Sequence, residues 1–149
     1  MSTTASVPTL STPVVLTGTP VVPGVAFGPV VRPTGAVALP GPDAAPTPDA
    51  ERAAERERFE AAATVVADRL AQRAAAATGV SAEVLSTTAG LARDRGLLTT
   101  VAQKIDTGAS APVATVEAAQ QFVDMFTALG GLMAERVTDV RDVRNRIVA

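Results

Sequence analysis

The stretch 110–149 constrains this chain most. Its large apolar residues Val113, Val116, Val123, Phe126, Met133, Val137, Val140 and Ile147 follow one another at steps of three, four or seven, the repeat of a single helical face. That spacing predicts one helix of roughly 55 Å, at about 1.5 Å per residue, with Phe126 among its core positions. A helix of that length holds its shape by lying along other helices, so the preceding chain must supply the partners.

The partners are legible in order. Thr47-Pro48-Asp49-Ala50-Glu51 reads as a helix start, with Thr47 as N-cap, Pro48 at the first helical position and two acids facing the positive end of the dipole. Phe59, Ala62, Val66, Leu70 and Ala74 then step by three or four, and Thr78-Gly79 closes that helix. Ser81 is expected to cap a second, shorter helix through about Arg93, with Val84, Leu85, Thr88 and Leu91 on one side. Thr87, Thr88 and Gly90 lower its intrinsic propensity, so packing must hold it. Asp94-Arg95-Gly96 predicts a break, after which Leu97, Leu98, Val101 and Ile105 give a third helix ending at Thr107-Gly108. Ser110 is expected to cap the long helix, with Pro112 in its first turn. The result is four antiparallel helices joined by short loops, spanning 47–149.

Before residue 47 the character differs. Residues 1–13 are a Ser/Thr/Pro segment too poor in large apolar groups to fold, and are expected to be disordered. Val14-Val15-Leu16-Thr17-Gly18 and Val25-Ala26-Phe27-Gly28-Pro29-Val30-Val31 are short strand candidates around the turn Pro23-Gly24. Two short strands need more sheet than this chain contains, so 14–46 reads as part of an incomplete α/β domain plus a Pro/Gly/Ala-rich linker. Pro23-Gly24 through Gly28 is no phosphate loop, because no Gly-Lys-Ser/Thr follows and no helix opens there.

Composition narrows the chemistry. The 149 residues include no His, Cys, Trp or Tyr, and the formal net charge is −2. Without His or Cys the usual acid/base groups, thiol nucleophiles and transition-metal ligands are missing, so no catalytic residue is assigned and no cofactor is expected in this chain. An acidic balance without aromatic stacking surfaces argues against nucleic acid. No run approaches the eighteen or so apolar residues of a membrane span, and the uncharged start makes a poor signal peptide; the cytoplasm is the default compartment. Near the end, Asp142 and Arg146 form a favourable i,i+4 pair, while Arg141, Arg144 and Arg146 suit the negative end of a helix. Leu85, Leu91, Leu97 and Leu98 read first as core, since apolar stripes at helical spacing face inward.

Two stretches together change the weighing. Leu16-Thr17-Gly18-Thr19-Pro20-Val21-Val22-Pro23-Gly24-Val25-Ala26-Phe27-Gly28 and Glu135-Arg136-Val137-Thr138-Asp139-Val140-Arg141-Asp142-Val143 resemble the opening of the Enzyme I family of the phosphoenolpyruvate-dependent sugar phosphotransferase system. There a hydrophobic Pro-Gly strand begins the chain, and an acid-Arg-x-x-Asp-Val-Arg-Asp run closes a four-helix insertion. The resemblance covers residues 14–149. It implies a mostly α chain: a helical phosphocarrier-binding domain at 47–149, inserted after one or two strands of an incomplete α/β swivelling domain.

The resemblance further implies a phosphoryl relay, from phosphoenolpyruvate to a His outside this chain and on to a histidine-containing phosphocarrier protein docked on the helices. Magnesium is implied for the complete enzyme, as is a homodimer formed through a C-terminal part that this chain lacks. By the same resemblance Leu85, Leu91 and Leu97 match groove positions, and Arg136 matches a basic position facing the carrier. Thr88 stands where the family often has His, and Gly79, Val80 and Gly96 stand where acids often flank the groove. A different class of reading is a non-catalytic helical scaffold, for which orphan strands have no use. A rival within the first class is the same module in a dihydroxyacetone-kinase-linked or multiphosphoryl transfer protein.

Leu85 and Leu91 pose a geometric conflict. Six residues apart, they sit about 120° from superposition on an ideal helix, so one of them is expected to leave the core seam and reach a separate groove. Leu97 would close the other wall, and Arg136 would rim it with charge.

Overall fold

The computed structural model describes residues 24, 27–29, 37–41 and 46–149. The chain divides into two units, Met1–Thr34 and Gly35–Ala149. Among the described residues all regular structure lies in the second: a 3-10 turn Asp49–Glu51, then helices α1 (Arg52–Ala76), α2 (Gly79–Leu91), α3 (Arg95–Asp106), α4 (Ala111–Leu129), α5 (Gly131–Glu135) and α6 (Val137–Val148). The disordered start expected at 1–13 and the first strand candidate lie outside the described residues. Of the second candidate only 27–29 are described; they carry no strand, and Phe27 is fully exposed.

The mostly helical domain expected from the sequence is what forms, and its helices run antiparallel in pairs. On α1 the stripe Phe59, Ala63, Val66, Ala67 and Leu70 is buried at helical spacing. Helix α2 returns along it, with Arg93 just past its end pairing with Asp68 at 2.5 Å. Asp94 breaks the chain and caps α3, its Oδ1 accepting from the Leu97 N–H at 2.9 Å. Helix α3 buries Leu97, Val101 and Ile105, and α4 runs back beside it, tied by Lys104–Glu117 at 2.9 Å. Phe59, Leu70, Ala89, Leu97, Ile105, Ala114 and Val143 belong to one core cluster, so α1, α2, α3, α4 and α6 share a single interior.

The fourth helix departs from expectation. Instead of one rod over 110–149, the chain turns at Gly130 (φ 67°, ψ −168°) and Gly131 (φ 54°), and α6 folds back antiparallel along α4. A straight rod would leave the end of the stripe with nothing to cover it. Folded back, Val140 packs with Ala119 and Val123, and Val143 joins the main core with Ala114 and Ala118. Glycine accepts positive φ without the Cβ penalty of other residues, which is why the reversal falls there. Arg146 and Asp142 pair at 2.7 Å on α6, as expected from their spacing.

Caps also differ from the local reading. Neither Thr47 nor Ser110 places its side chain on a helix N–H. Thr47 uses its backbone N–H instead, donating to the Gly108 carbonyl at 2.7 Å. Arg52 donates to the Asp106 carbonyl at 2.7 Å, and Arg56 pairs with the Asp106 carboxylate. Gly108 has φ 106°, a torsion that L side chains rarely adopt, so the loop that receives α1 is built on glycine. The first free N–H of α4 goes to a distant acid: Ala111 N–H donates to Glu55 Oε2 at 2.6 Å, from 56 residues away. Glu55 is buried and paired with Arg58 as well. Glu55→Ala leaves the Ala111 N–H without its protein partner, and the expected loss is about 1–3 kcal/mol. Urea denaturation checks this; a change under about 0.5 kcal/mol, the range of an ordinary surface substitution, would show that water replaces the carboxylate.

A candidate partner-docking surface

Helix α2 carries two stripes. Leu85, Thr88, Ala89 and Ala92 turn toward the interior, where Thr88 and Ala89 are buried and Leu85 and Leu91 are half-buried against the core. The Thr88 hydroxyl donates back to the Val84 carbonyl at 2.9 Å, which satisfies it without a partner. The conflict between Leu85 and Leu91 is thus resolved inward: Leu91 bridges the two core clusters, and both leucines stay half-covered. Leu97, expected as a groove wall, is only 3% exposed and belongs to the core. One turn after the Asp94 cap, it is buried in the main cluster together with residues of α1 and α4. Of the five residues singled out by the resemblance, only Arg136 stands fully in solvent.

The other stripe faces out. Val80 and Val84 are 75% and 55% exposed, one turn apart, with Thr87 continuing the row. Opposite them stands Leu132 of α5, 79% exposed. Glu83, Val84, Thr87, Leu132, Glu135, Arg136 and Asp139 line one cleft of about 480 Å³ between α2 and the α5–α6 joint. Val84 and Leu132 give it an apolar patch, beside which stand three carboxylates and one guanidinium. Met125, Leu129 and Met133 are also exposed around the Gly130-Gly131 turn.

Val84 and Leu132 were not marked as surface by sequence, and Val80 only by the resemblance, as a position flanking the groove. A signal existed: Val80, Val84 and Thr87 repeat at i, i+4 and i+7 beside the Leu85 row, giving a thirteen-residue helix more apolar face than one seam can bury. Leu132 was hidden by the reading of 110–149 as one rod, which placed it on an ordinary flank.

A small apolar patch with a charged rim is the anatomy of a transient interface. Among the described residues no three His, Cys, Asp or Glu side chains are grouped as they would be to hold a metal ion. No described helix is long and apolar enough to cross a membrane.

Comparison with known proteins agrees with this architecture. Residues 17–136 match the family model described as PEP-utilising enzyme, N-terminal. The chain is 39% identical over 134 residues to a phosphoenolpyruvate-protein phosphotransferase of Streptomyces coelicolor, an alignment covering 90% of this chain and 24% of that protein. Its fold is similar to an NMR solution structure of Enzyme I (nEIt), with a TM-score of 0.66 and 24% identity over 76% of this chain and 47% of that one. The chain therefore spans about a quarter of its curated relative and less than half of the solved chain.

Proposed function

The chain belongs to the family of PEP-utilising enzymes defined by their N-terminal region, and on that premise we propose that it is the docking part of a phosphoenolpyruvate-protein phosphotransferase. In this reading the helical unit holds a histidine-containing phosphocarrier protein while a His outside these residues hands over its phosphoryl group. The chain has no His, so its part in the reaction is to bind and orient. Holding two proteins at a fixed approach turns a bimolecular transfer into an effectively intramolecular one, a large contribution that needs no catalytic side chain here. The complete enzyme, in this proposal, works in the cytoplasm as a homodimer assembled through a part absent from this chain, with magnesium at its phosphoenolpyruvate site.

The observation that carries the reading is the cleft between α2 and the α5–α6 joint. Val84 and Leu132 supply the apolar centre, and Arg136 rims it beside Glu83, Glu135 and Asp139. Leu85, Thr88, Leu91 and Leu97 act behind that surface, holding α2 in place from within. Titrating the cognate carrier by calorimetry tests the assignment. Val84→Ala and Leu132→Ala are each expected to weaken binding by about 1–2 kcal/mol, or roughly 5–30-fold. As exposed positions, they should alter folding stability by no more than about 0.5 kcal/mol. Wild-type heat of binding that survives both substitutions unchanged would move the site elsewhere. A carrier that gives no heat at all would remove the docking function.

A further inference from the structure

Residues 111–148 carry one apolar period yet fold as two arms. On a straight helix Ala119, Val123, Phe126, Met133, Val137, Val140 and Ile147 fall within about 120° of one another, as though no turn stood between them. The reversal rests on two residues, Gly130 (φ 67°, ψ −168°) and Gly131 (φ 54°). Arg136, at the joint of α5 and α6, keeps helical torsions of φ −72° and ψ −12°. So α5 and α6 make one arm, and Gly130-Gly131 is its hinge.

Apart from the adjoining backbone, no heavy atom lies within 4 Å of the position a Cβ would take at either glycine. Backbone torsion alone therefore opposes a side chain there. An L-residue is disfavoured at these positive φ values and favoured over glycine in a helix, so the hinge torsions and the apolar period pull in opposite directions.

The arm's inner face is deeply packed: Val140 is 1% exposed and Val143 0%. Opened in an isolated chain, it would strip cover from Ala114, Ala118, Ala119 and Val123. Laid on the same elements of a second copy, it would restore each of those contacts and complete the helix that the period describes. We propose that the α5–α6 arm is exchangeable: the hinge straightens, α4 to α6 become one helix, and two chains pair by packing each arm on the other's α1 and α4. Exchange between identical elements adds few contacts and removes few, so the hinge sets the balance. In the native chain the glycines favour the closed monomer, which loses no translational freedom.

The absence of Cys makes a direct test possible. Pro112→Cys with Val148→Cys introduces one pair of thiols, both lining the cavity where the start of α4 meets the end of α6. A short bis-maleimide joins them within a chain in the hairpin and between chains in the exchanged dimer. In this background the native hinge is expected to give monomer with intrachain links. Gly130→Ala with Gly131→Ala is expected to move most of the protein to twice the mass in light scattering, with covalent dimers on a denaturing gel. Inserting Gly-Ser-Gly after residue 130 should return it to monomer, because a longer loop relaxes the turn. If the double variant does not fold, Gly131→Ala alone gives the same reading at a smaller dimer fraction. Alanine variants that stay monomeric with intrachain links overturn the proposal. So does a dimer whose links remain within chains, which would be an ordinary surface pair.

Discussion

Phe59→Ala is expected to lower the stability of the helical unit by about 3–5 kcal/mol, a large share of the roughly 5–15 kcal/mol that holds a domain of ordinary stability. Phe59 is 2% exposed. It lines two clefts, one with Ala63, Ala92 and Leu98 and the other with Ala111, Thr115 and Ile147. Removing it leaves a void in the core beside both, and the first turns of α1 are held against settling inward to fill it. Thr47 to Gly108, Arg52 and Arg56 to Asp106, and Glu55 to Ala111 hold its first turns in register. The cost therefore belongs at the upper end of the range, since it grows with the cavity left behind. Leu97→Ala falls in the same class at about 2–5 kcal/mol. Phe126→Ala should cost less than either. Phe126 is only half-buried near the tip of the α4–α6 hairpin, edge-on to Phe122 at 6.0 Å. Urea titrations of the three variants rank them; a loss at Phe126 equal to that at Phe59 would mean the hairpin tip is as tightly packed as the centre.

Incubated with labelled phosphoenolpyruvate and magnesium, the chain is expected to take up no acid-labile, alkali-stable phosphate. Such a label marks phosphohistidine, which needs an imidazole nucleophile, and the sequence has no His. The effect is all or none, so one gel decides it. On the proposed function, supplying the part of the enzyme that carries the acceptor His should restore labelling, on the added part rather than on this one. Stoichiometric label on residues 1–149 would contradict both the chemistry and the proposed division of labour.

These two results probe what was readable from different sources. Helix positions were legible because they depend on neighbours a few residues apart. The stripe of α1, the Asp94 break and the Gly108 turn all follow from i,i+3 and i,i+4 spacing and from glycine or capping chemistry at the ends. The absence of a phosphoryl acceptor was equally plain, being a matter of composition alone. Gly130-Gly131 is a turn dipeptide, but it went unread against a period that runs unbroken on both sides of it.

Which faces of α2 lie inside was not legible for a related reason. Helix α2 has two apolar rows, and nothing within thirteen residues says which row meets α1 and the core. Spacing shows that Leu85 and Leu91 cannot share one seam squarely. It cannot show that both settle half-covered while Val80 and Val84 take the solvent side. Leu97 sat beside the predicted break and looked like a groove wall, but the direction of α3 after its Asp94 cap carries it into the core.

What the sequence by itself determined is therefore local and chemical: where helices run, where glycine lets them stop, and that no imidazole is present to carry phosphate. Only the tertiary structure decided which faces are inside and where the chain doubles back, along with the source of the α4 cap. Each of those depends on partners far apart in sequence, such as Glu55 and Ala111 or Val123 and Val140. Burial is a property of what lies opposite a side chain, and periodicity describes only the side chain's own helix.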